Sequence, residues 1–454
     1  MTRQDKKTYP CTQPMRWERL ISAKRLGMEA YHDPRRHTRS TFQRDYDRMI
    51  FSSPFRRLQN KTQVFPLPGS IFVHNRLTHS LEVSSVGRSM ANEVSRLLRE
   101  RHSDAPWAKK LHELGDIVAT ACLCHDLGNP PFGHSGEKTI STFFSEGEGL
   151  ELKPLLTERQ WADLINFEGN ANSFRLLTHR FVGRREGGFA MTYSVLASIV
   201  KYPHSSLFAG DKGKFGYFES EEGIWRLVAE ELGIPELRPG VFARHPLVYI
   251  MEAADDICYQ IMDLEDAHKL KIVNHQEVAD LFLGFFEDSR AAQMRRTMAR
   301  LDDPNERVAY LRSNVIGALV EDCARVFVEN EDGILSGKMQ GSLVEKTEPM
   351  LSEAYAACSE KAWEKIYRAP EVVDIEIAGN RIITYLMRCL VEAVMHPEKN
   401  FSRLLLEKVP KQYDTRADSV YGRIQSALDH ISGMTDVYAL DLFRKLNGHS
   451  LPAV

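Results

Sequence analysis

The sequence of 454 residues has no apolar run long enough to cross a membrane. One of its longest uncharged stretches, residues 187–200, has 14 residues and contains Thr, Tyr and Ser, whereas a membrane-spanning helix needs about 20 apolar residues. The N-terminal stretch MTRQDKKTYPCTQPMRW is charged and lacks the apolar core of a signal peptide. We therefore expect no membrane association.

Cysteine is scarce, odd in number and scattered along the chain. The seven cysteines form no even framework, which argues against disulfides and for the reducing cytoplasm. Cys122 and Cys124 lie two residues apart, so on a helix their side chains point in different directions. We interpret them as small core residues rather than metal ligands.

The charge is nearly balanced, with 59 Lys and Arg against 62 Asp and Glu, so a protein that generically coats nucleic acid is unlikely on composition. The charge balances over the whole chain but not locally, because residues 1–60 carry 14 basic and six acidic residues. We predict a basic N-terminal arm over residues 1–55. It is either a solvated segment or an arm that contacts phosphate or an acidic neighbouring subunit, which leaves binding of single-stranded DNA open.

Helical periodicity dominates the rest, and strand-like alternation is scarce. The pattern predicts an all-α protein with helices over residues 77–101, 111–127, 246–268, 305–330, 352–367 and 380–395. Thr78 is the expected N-cap of the first. Residues 145–156 and 202–223 appear irregular by pattern, and unpatterned loops as long as the second are often functional.

Candidate metal ligands occur at four positions. The doublet His125–Asp126 ends an apolar helix just before Gly-Asn-Pro-Pro, where both side chains can reach one ion. His79 begins an amphipathic helix, and Asp255 lies in an otherwise apolar helix where an unpaired charge is costly. The alternative is that His125 and Asp126 form a local capping pair. Two imidazoles and two carboxylates suit Mn²⁺ or Fe²⁺ better than Mg²⁺.

The sequence motifs around these residues identify a protein family more specifically than the His–Asp doublet does. They are RRLQNKTQVFPLPG, HNRLTHSLEV, CHDLGNPPFGHSGE, NFEGNANSFRLL, KYPH with KFGYFESE, MEAADDICYQIMDLEDA and ISGMTDVYALDLF. From about residue 57 to 442 the chain resembles the HD-superfamily deoxynucleoside triphosphate triphosphohydrolases, the bacterial dGTPase family. The resemblance implies a helical HD core over residues 56–270, elaborated by helical insertions, and a helical C-terminal part over 271–454 packed on it as one large unit.

The resemblance also implies a cofactor, an activity and an assembly. The cofactor is a divalent metal, Mn²⁺ or Mg²⁺, with Fe²⁺, Co²⁺ or Ni²⁺ as further candidates. The substrate is a dNTP, either dGTP alone or several dNTPs, cleaved to deoxynucleoside and inorganic triphosphate. The expected assembly is a homo-oligomer, with a hexamer favoured. The alternatives are an HD phosphohydrolase for another nucleotide and a nucleic-acid-binding protein with a vestigial HD site.

The spacing of His134 and Glu137 puts them on one face if a helix resumes at Phe132. A carboxylate beside an imidazole raises the His pKa, which suits acid–base work, although a surface His capped by Glu fits the local sequence equally well. The resemblance implies that this pair is the catalytic dyad.

The resemblance assigns further residues to the substrate. Asp255, Tyr259 and Asp263 are spaced i, i+4, i+8 and so share one helix face, with Tyr259 against the sugar and Asp263 near its 3′-hydroxyl. The neighbouring Asp256 is a rival for the metal, and this register favours Asp255. The remaining implied contacts are Gln63, Arg76, Asn129, Lys201, Tyr202 and Arg423, with Asn170 a weaker one.

Overall fold

The computed structural model describes residues 13–30, 38–65 and 73–450. Across these ranges every regular element is a helix except for one short antiparallel hairpin, β1 (Glu236–Arg238) and β2 (Val241–Phe242). The all-α prediction is therefore confirmed. None of the helices in these ranges has both the length and the apolar character that a bilayer requires.

Up to residue 269, the described part of the chain contains eleven α-helices. They are α1 (Trp17–Leu20), α2 (Thr41–Ile50), α3 (Ser53–Arg57), α4 (Arg76–Arg101), α5 (Leu114–Cys124), α6 (Gly133–Ser145), α7 (Glu158–Ile165), α8 (Gly169–Thr178), α9 (Tyr193–Ser198), α10 (Glu222–Leu232) and α11 (Pro246–Lys269). Five 3₁₀ segments accompany them: Leu58–Asn60, Pro106–Glu113, Glu148–Leu155, Ser206–Phe208 and Glu219–Glu221.

Beyond residue 269, the described part of the chain adds nine more α-helices. They are α12 (His275–Leu283), α13 (Asp288–Met298), α14 (Pro304–Glu329), α15 (Glu331–Leu335), α16 (Pro349–Lys365), α17 (Pro370–Met395), α18 (Asn400–Leu406), α19 (Val420–Ser432) and α20 (Asp436–Leu446). One further 3₁₀ turn spans Val344–Lys346.

Two apolar clusters hold these helices together. The larger one gathers buried side chains of α4, α5, α11 and α14. The smaller one joins α6, α7 and α8 to α17, α19 and α20. Because the second cluster combines residues near position 140 with residues near 430, the C-terminal helices share an apolar core with α6, the helix that follows the His–Asp doublet.

The start of α4 differs from the sequence prediction. Thr78 is not the N-cap; Asn75 is, because its side-chain oxygen accepts from the backbone N–H groups of Leu77 and Thr78 while Thr78 bonds back to the Asn75 N–H. This capping box places Arg76 and His79 in the first turn, at the end of the helix that faces the cavity described below.

The helix predicted over residues 380–395 begins ten residues earlier, at Pro370. Gly379 weakens the pattern because glycine is a poor helix former. In the structure Gly379 nevertheless lies within the helix. A Cβ at this position would come 2.8 Å from Cγ of Phe132. A close approach between α17 and the turn before α6 therefore explains the glycine.

Part of the predicted basic arm is packed on the protein body. Trp17 is buried and donates to Glu331 Oε1 at 2.8 Å, and Arg25 forms a buried ion pair with Asp45. Residues 1–12 and 31–37 of the arm lie outside the described residues. The division into arm, core and C-terminal part stays a prediction.

Candidate active site

A cavity of about 250 Å³ opens where α4, the end of α5, α6 and α11 meet. It brings together twelve of the fourteen site residues predicted from sequence: Gln63, Arg76, His79, His125, Asp126, Asn129, His134, Glu137, Lys201, Tyr202, Asp255 and Tyr259. Asn170, Lys214 and Asp256 also line it. Segments separated by nearly two hundred residues thus share one space.

Three of the four predicted metal ligands converge at the cavity floor. Asp255 Oδ1 lies 3.2 Å from His79 Nε2 and 3.3 Å from His125 Nε2. One ligand atom from each of the three lies within 4.8 Å of the other two. Asp126 faces the same space, with Oδ2 3.6 Å from His125 Nε2.

His125 is prepared as a metal ligand by the backbone. Its Nδ1 lies 2.6 Å from the carbonyl oxygen of Cys122, which can only accept, so Nδ1 carries the proton and Nε2 has a free lone pair. That Nε2 atom is buried and makes no hydrogen bond. A buried acceptor without a donor is costly, and an ion bound among these side chains would remove the cost. The residues present therefore fit a divalent metal.

Neighbouring cations keep the two carboxylates charged. Burial alone would raise the pKa of Asp126, but Arg76, whose Nη1 donates to Asp126 Oδ2 at 2.6 Å, lowers it strongly. Burial is likewise outweighed at Asp255, whose pKa is held well below its usual range mainly by Lys201 at 2.7 Å.

Asp256 also lines the cavity, but it is a poorer candidate ligand than Asp255. Its burial raises the pKa to about 7, with Lys201 opposing and Asp255 adding to the rise. A carboxyl group that is half protonated at neutral pH competes weakly for a cation. The charge distribution therefore favours Asp255, as the i, i+4, i+8 register does.

The predicted dyad stands on the first turn of α6. His134 Nδ1 lies 2.9 Å from Glu137 Oε2, and the imidazole is 72% exposed toward the cleft while the carboxylate is 10% exposed. Glu137 raises the pKa of His134 by its charge and its hydrogen bond, against a smaller effect of burial. The second oxygen, Glu137 Oε1, accepts from the Gly169 N–H at 2.8 Å. Glu137 is thus held from both sides, and it orients the imidazole.

The turn that presents His134 is left-handed at two successive residues. Phe132 has φ 63° and Gly133 has φ 60°. Glycine adopts this conformation readily, whereas a phenylalanine there is uncommon. A Cβ at position 133 would lie 2.5 Å from Arg76 Nη2, so the bare glycine also lets the guanidinium approach the turn.

Lys214 is a site residue that the sequence prediction did not single out. Its Nζ donates to Glu168 Oε1 at 2.7 Å and lies 4.0 Å from Glu137 Oε2. It is the first residue of the motif KFGYFESE, within the segment 202–223 that the sequence pattern marks as irregular. Both signals marked the region, but neither showed which side chain would return to the dyad.

Asp263 and Arg423 are not brought into the cavity. Asp263 is buried behind it, where its Oδ2 accepts from the Tyr367 hydroxyl at 2.8 Å, and burial raises its pKa to about 8. Tyr367 in turn stacks on Tyr259, with ring centroids 5.7 Å apart. Arg423 lies on α19, and its Nε makes no hydrogen bond. Their substrate roles stay predictions.

Comparisons with known proteins bear on the same residues. Residues 76–158 match the HD domain family, and residues 346–445 match a phosphohydrolase-associated domain. A deoxyguanosinetriphosphate triphosphohydrolase-like protein of Pseudomonas aeruginosa is 36% identical over 448 residues, covering 97% of this chain and 100% of its own. A like-named protein of Synechocystis sp. is 36% identical over 461 residues, covering 96% and 100%.

A third relative carries the unqualified name. The deoxyguanosinetriphosphate triphosphohydrolase of Yersinia enterocolitica is 31% identical over 479 residues, covering 89% of this chain and 93% of its own. The chain belongs to the deoxyguanosinetriphosphate triphosphohydrolase family. Family membership supports a phosphohydrolase activity, and the HD domain match contains seven of the residues gathered here: Arg76, His79, His125, Asp126, Asn129, His134 and Glu137.

Proposed function

We propose that this protein hydrolyses deoxynucleoside triphosphates, dGTP or several of them, to the deoxynucleoside and inorganic triphosphate. The observation that carries the proposal is one cavity in which a metal-type ligand cluster, a His–Glu pair and several cations face each other. Each component supplies something that cleavage of a phosphate ester requires.

We propose His79, His125, Asp126 and Asp255 as the residues that hold a divalent cation, with Mn²⁺ or Mg²⁺ as the first candidates and Fe²⁺, Co²⁺ or Ni²⁺ as further ones. The ion would supply Lewis-acid polarisation of a phosphoryl oxygen and activation of water. The support is the unpartnered Nε2 of His125 and the compensated charges of both carboxylates.

His134 is the proposed general acid. When protonated, it donates from Nδ1 to Glu137, which leaves the Nε2–H free to point into the cleft. Transfer of this proton to the departing 5′-oxygen would release a neutral 3′- and 5′-hydroxylated deoxynucleoside rather than an alkoxide. Glu137 favours the protonated imidazole, because its charge and its hydrogen bond raise the pKa of His134.

Cations around the cavity are placed for the triphosphate. Arg76 is buried and Lys201 is partly buried beside the carboxylates, and Lys214 lies near the dyad on a different segment. Arginine can bind two phosphate oxygens at once, whereas lysine acts as a point charge. We assign the phosphate chain to this side, together with Asn129, Asn170 and Tyr202.

The sugar is assigned to Gln63 and Tyr259, which line the same cavity. Gln63 Oε1 is buried without a hydrogen bond, and Tyr259 is braced by stacking on Tyr367. A braced aromatic ring can reject a ribose 2′-hydroxyl by steric exclusion. Asp263 Oδ2 accepts from the Tyr367 hydroxyl, which leaves Oδ1 as the less occupied oxygen for the proposed 3′-hydroxyl contact.

Product analysis tests the proposal directly. The purified protein is incubated with Mn²⁺ and each of the four dNTPs, and then with the corresponding ribonucleotides. Release of inorganic triphosphate from dNTPs, with slow or no turnover of ribonucleotides, is the expected result. Release of monophosphate with pyrophosphate would exclude the proposed bond cleavage. A homo-oligomer, with a hexamer favoured, and binding of single-stranded DNA remain separate predictions for sedimentation and filter-binding measurements.

A further inference from the structure

The beginning of α20 contacts the two backbone segments that border the cavity. Asp436 is its first residue and is 7% exposed. One carboxylate oxygen, Oδ1, accepts from the Phe132 N–H at 3.0 Å, and the other, Oδ2, accepts from the Thr62 N–H at 2.7 Å. A single side chain of the C-terminal helices therefore joins the turn before His134 to the residue before Gln63.

Lys61 makes a second connection between the same parts. Its side chain is buried, and Nζ donates to the carbonyl oxygen of Ser432, at 2.7 Å, and to that of Asn129. Ser432 ends α19, and Asn129 follows the His–Asp doublet. The loop from Asn129 to Phe132 is thus held at both ends. Asn129 shares Lys61 with Ser432 at the end of α19, and Phe132 bonds to Asp436 at the start of α20.

Phe132 needs such support because its backbone is left-handed. It has φ 63° and precedes α6 without a side-chain cap. A non-glycine residue in this conformation persists only where its surroundings fix it. Asp436 holds its N–H, and Gly379 of α17 leaves room for its ring. Both supports come from the C-terminal helices.

His134 lies two residues beyond Phe132 on the same turn. Its direction into the cleft therefore follows the backbone of Phe132 and Gly133, in addition to its bond with Glu137. Arg76 is affected as well, because its guanidinium packs against Gly133 and its N–H donates to the Lys61 carbonyl oxygen at 3.2 Å. Movement of this turn would displace the acid and a phosphate contact together.

We propose that Asp436 is a positioning residue for the dyad: by accepting from Phe132 and Thr62 it sets where His134 stands relative to the metal cluster. The inference rests on the proposed function, because it assumes that His134 transfers a proton. We assign no chemical step to Asp436, because the hydrogen bonds of its side chain in the described structure come from backbone N–H groups.

The sharpest variant is Asp436→Asn. It keeps the shape of the side chain but replaces one acceptor oxygen with a donor, so one of the two N–H groups loses its partner. Asp441→Asn is the matched control, because it removes the same charge from the exposed face of the same helix. We expect Asp436→Asn to lower kcat by about 10- to 100-fold, since a displacement near 1 Å can cost about 10²-fold. KM and bound metal should change little, and Asp441→Asn should match the wild type.

A double-mutant cycle separates positioning from general damage. In a His134→Gln background the acid is already lost, so Asp436→Asn should lower the residual rate by less than about 2-fold. Equal fold-losses in both backgrounds, or an unchanged kcat in the wild-type background, would overturn the inference.

Two further measurements keep the test decisive. Gly379→Ala should disturb Phe132 from the other side, and its loss of kcat should likewise vanish in the His134→Gln background; a loss that persists there contradicts the proposal. Amide hydrogen exchange needs no substrate: Asp436→Asn should accelerate exchange in peptides covering residues 129–137, and unchanged exchange there overturns the inference. If the wild type releases no triphosphate, the proposed function fails while the exchange result still judges the role of Asp436.

Discussion

At the scale of single residues, two histidines of the cavity have separable roles. His125 presents to the ligand cluster a buried Nε2 that makes no hydrogen bond within the described residues, whereas the exposed imidazole of His134 bonds to Glu137. Removing the first should cost the metal, and removing the second should cost only the proton.

We therefore expect His125→Ala to lose bound Mn²⁺ and at least about 10³-fold in kcat, since activation of water and of the phosphoryl group both depend on the ion. His134→Gln should lose about 10²- to 10⁴-fold in kcat, the usual range for a positioned acid, with its metal content unchanged. Metal analysis after gel filtration and initial rates measure the two. The control is His112→Gln, at an exposed histidine outside the cavity. Retained metal in His125→Ala would contradict the ligand assignment.

The pH dependence follows from Glu137. Because the carboxylate raises the pKa of His134 above its ordinary value of 6.5, the acid form persists above that pH and kcat/KM should fall only as the pH rises through the elevated pKa. Glu137→Gln removes the charge, so the fall should begin at lower pH. Rates between pH 5.5 and 9.5 test this, with metal content checked in each sample. An unmoved alkaline limb would show that another group controls it.

Residue identity predicted the ligand types and the dyad better than it predicted their partners. His79, His125 and Asp255 could be proposed because charged or imidazole groups in apolar helices need compensation. The choice of Asp255 over Asp256 depended on register, and the different charge states of the two follow from Lys201 and burial, which only the folded chain shows. Lys214 and Tyr367 act across distant segments, so no local pattern could identify them.

At the scale of helices, the capping box of α4 offers a matched comparison. Asn75 caps the helix that carries Arg76 and His79, and Asn274 caps α12 in the same way through Glu277, away from the cavity. Each substitution by Ala should cost about 1 kcal/mol of stability.

Only Asn75→Ala should also lower activity, because the first turn that frays holds Arg76 and His79, the proposed phosphate contact and metal ligand. Thermal unfolding and kcat/KM, measured for both variants, test the expectation. Equal activities in the two variants would show that the first turn of α4 is held by its packing rather than by its cap.

Most long helices were predictable from periodicity, whereas their ends and the 3₁₀ segments were not. The segment predicted as one helix over residues 111–127 is a 3₁₀ turn, Pro106–Glu113, followed by α5. The irregular segment 145–156 contains a 3₁₀ turn around Pro154. Such turns depend on tertiary packing, which overrides the weak local preference.

At the scale of the whole molecule, the C-terminal helices complete the apolar core of the catalytic half. Ile140 and Phe144 of α6 are fully buried within the cluster that contains Ile383, Leu386 and Ile424. The helix that carries His134 is therefore covered by residues almost three hundred positions later.

Deletion of residues 370–454 should expose this face of α6 and abolish turnover, even though all four predicted metal ligands remain in the chain. A shorter variant that lacks only residues 449–454 keeps α20 intact and should behave as the full chain. Limited proteolysis and activity assays compare the two. A long-deletion variant that unfolds cooperatively and still hydrolyses dNTPs would show that the core folds without its C-terminal helices.

The bond between His125 and the Cys122 carbonyl has an evolutionary consequence. The proton that leaves the outer imidazole nitrogen free is fixed by the main chain one helical turn earlier, not by a side chain that mutation could remove. Position 122 can therefore change to another small, uncharged residue without changing which nitrogen is available. Its volume and polarity are constrained, because the side chain is fully buried and its sulfur lies in the space where α5 crosses Gly87 of α4. Preparation of the ligand is in this way inherited with the helix itself.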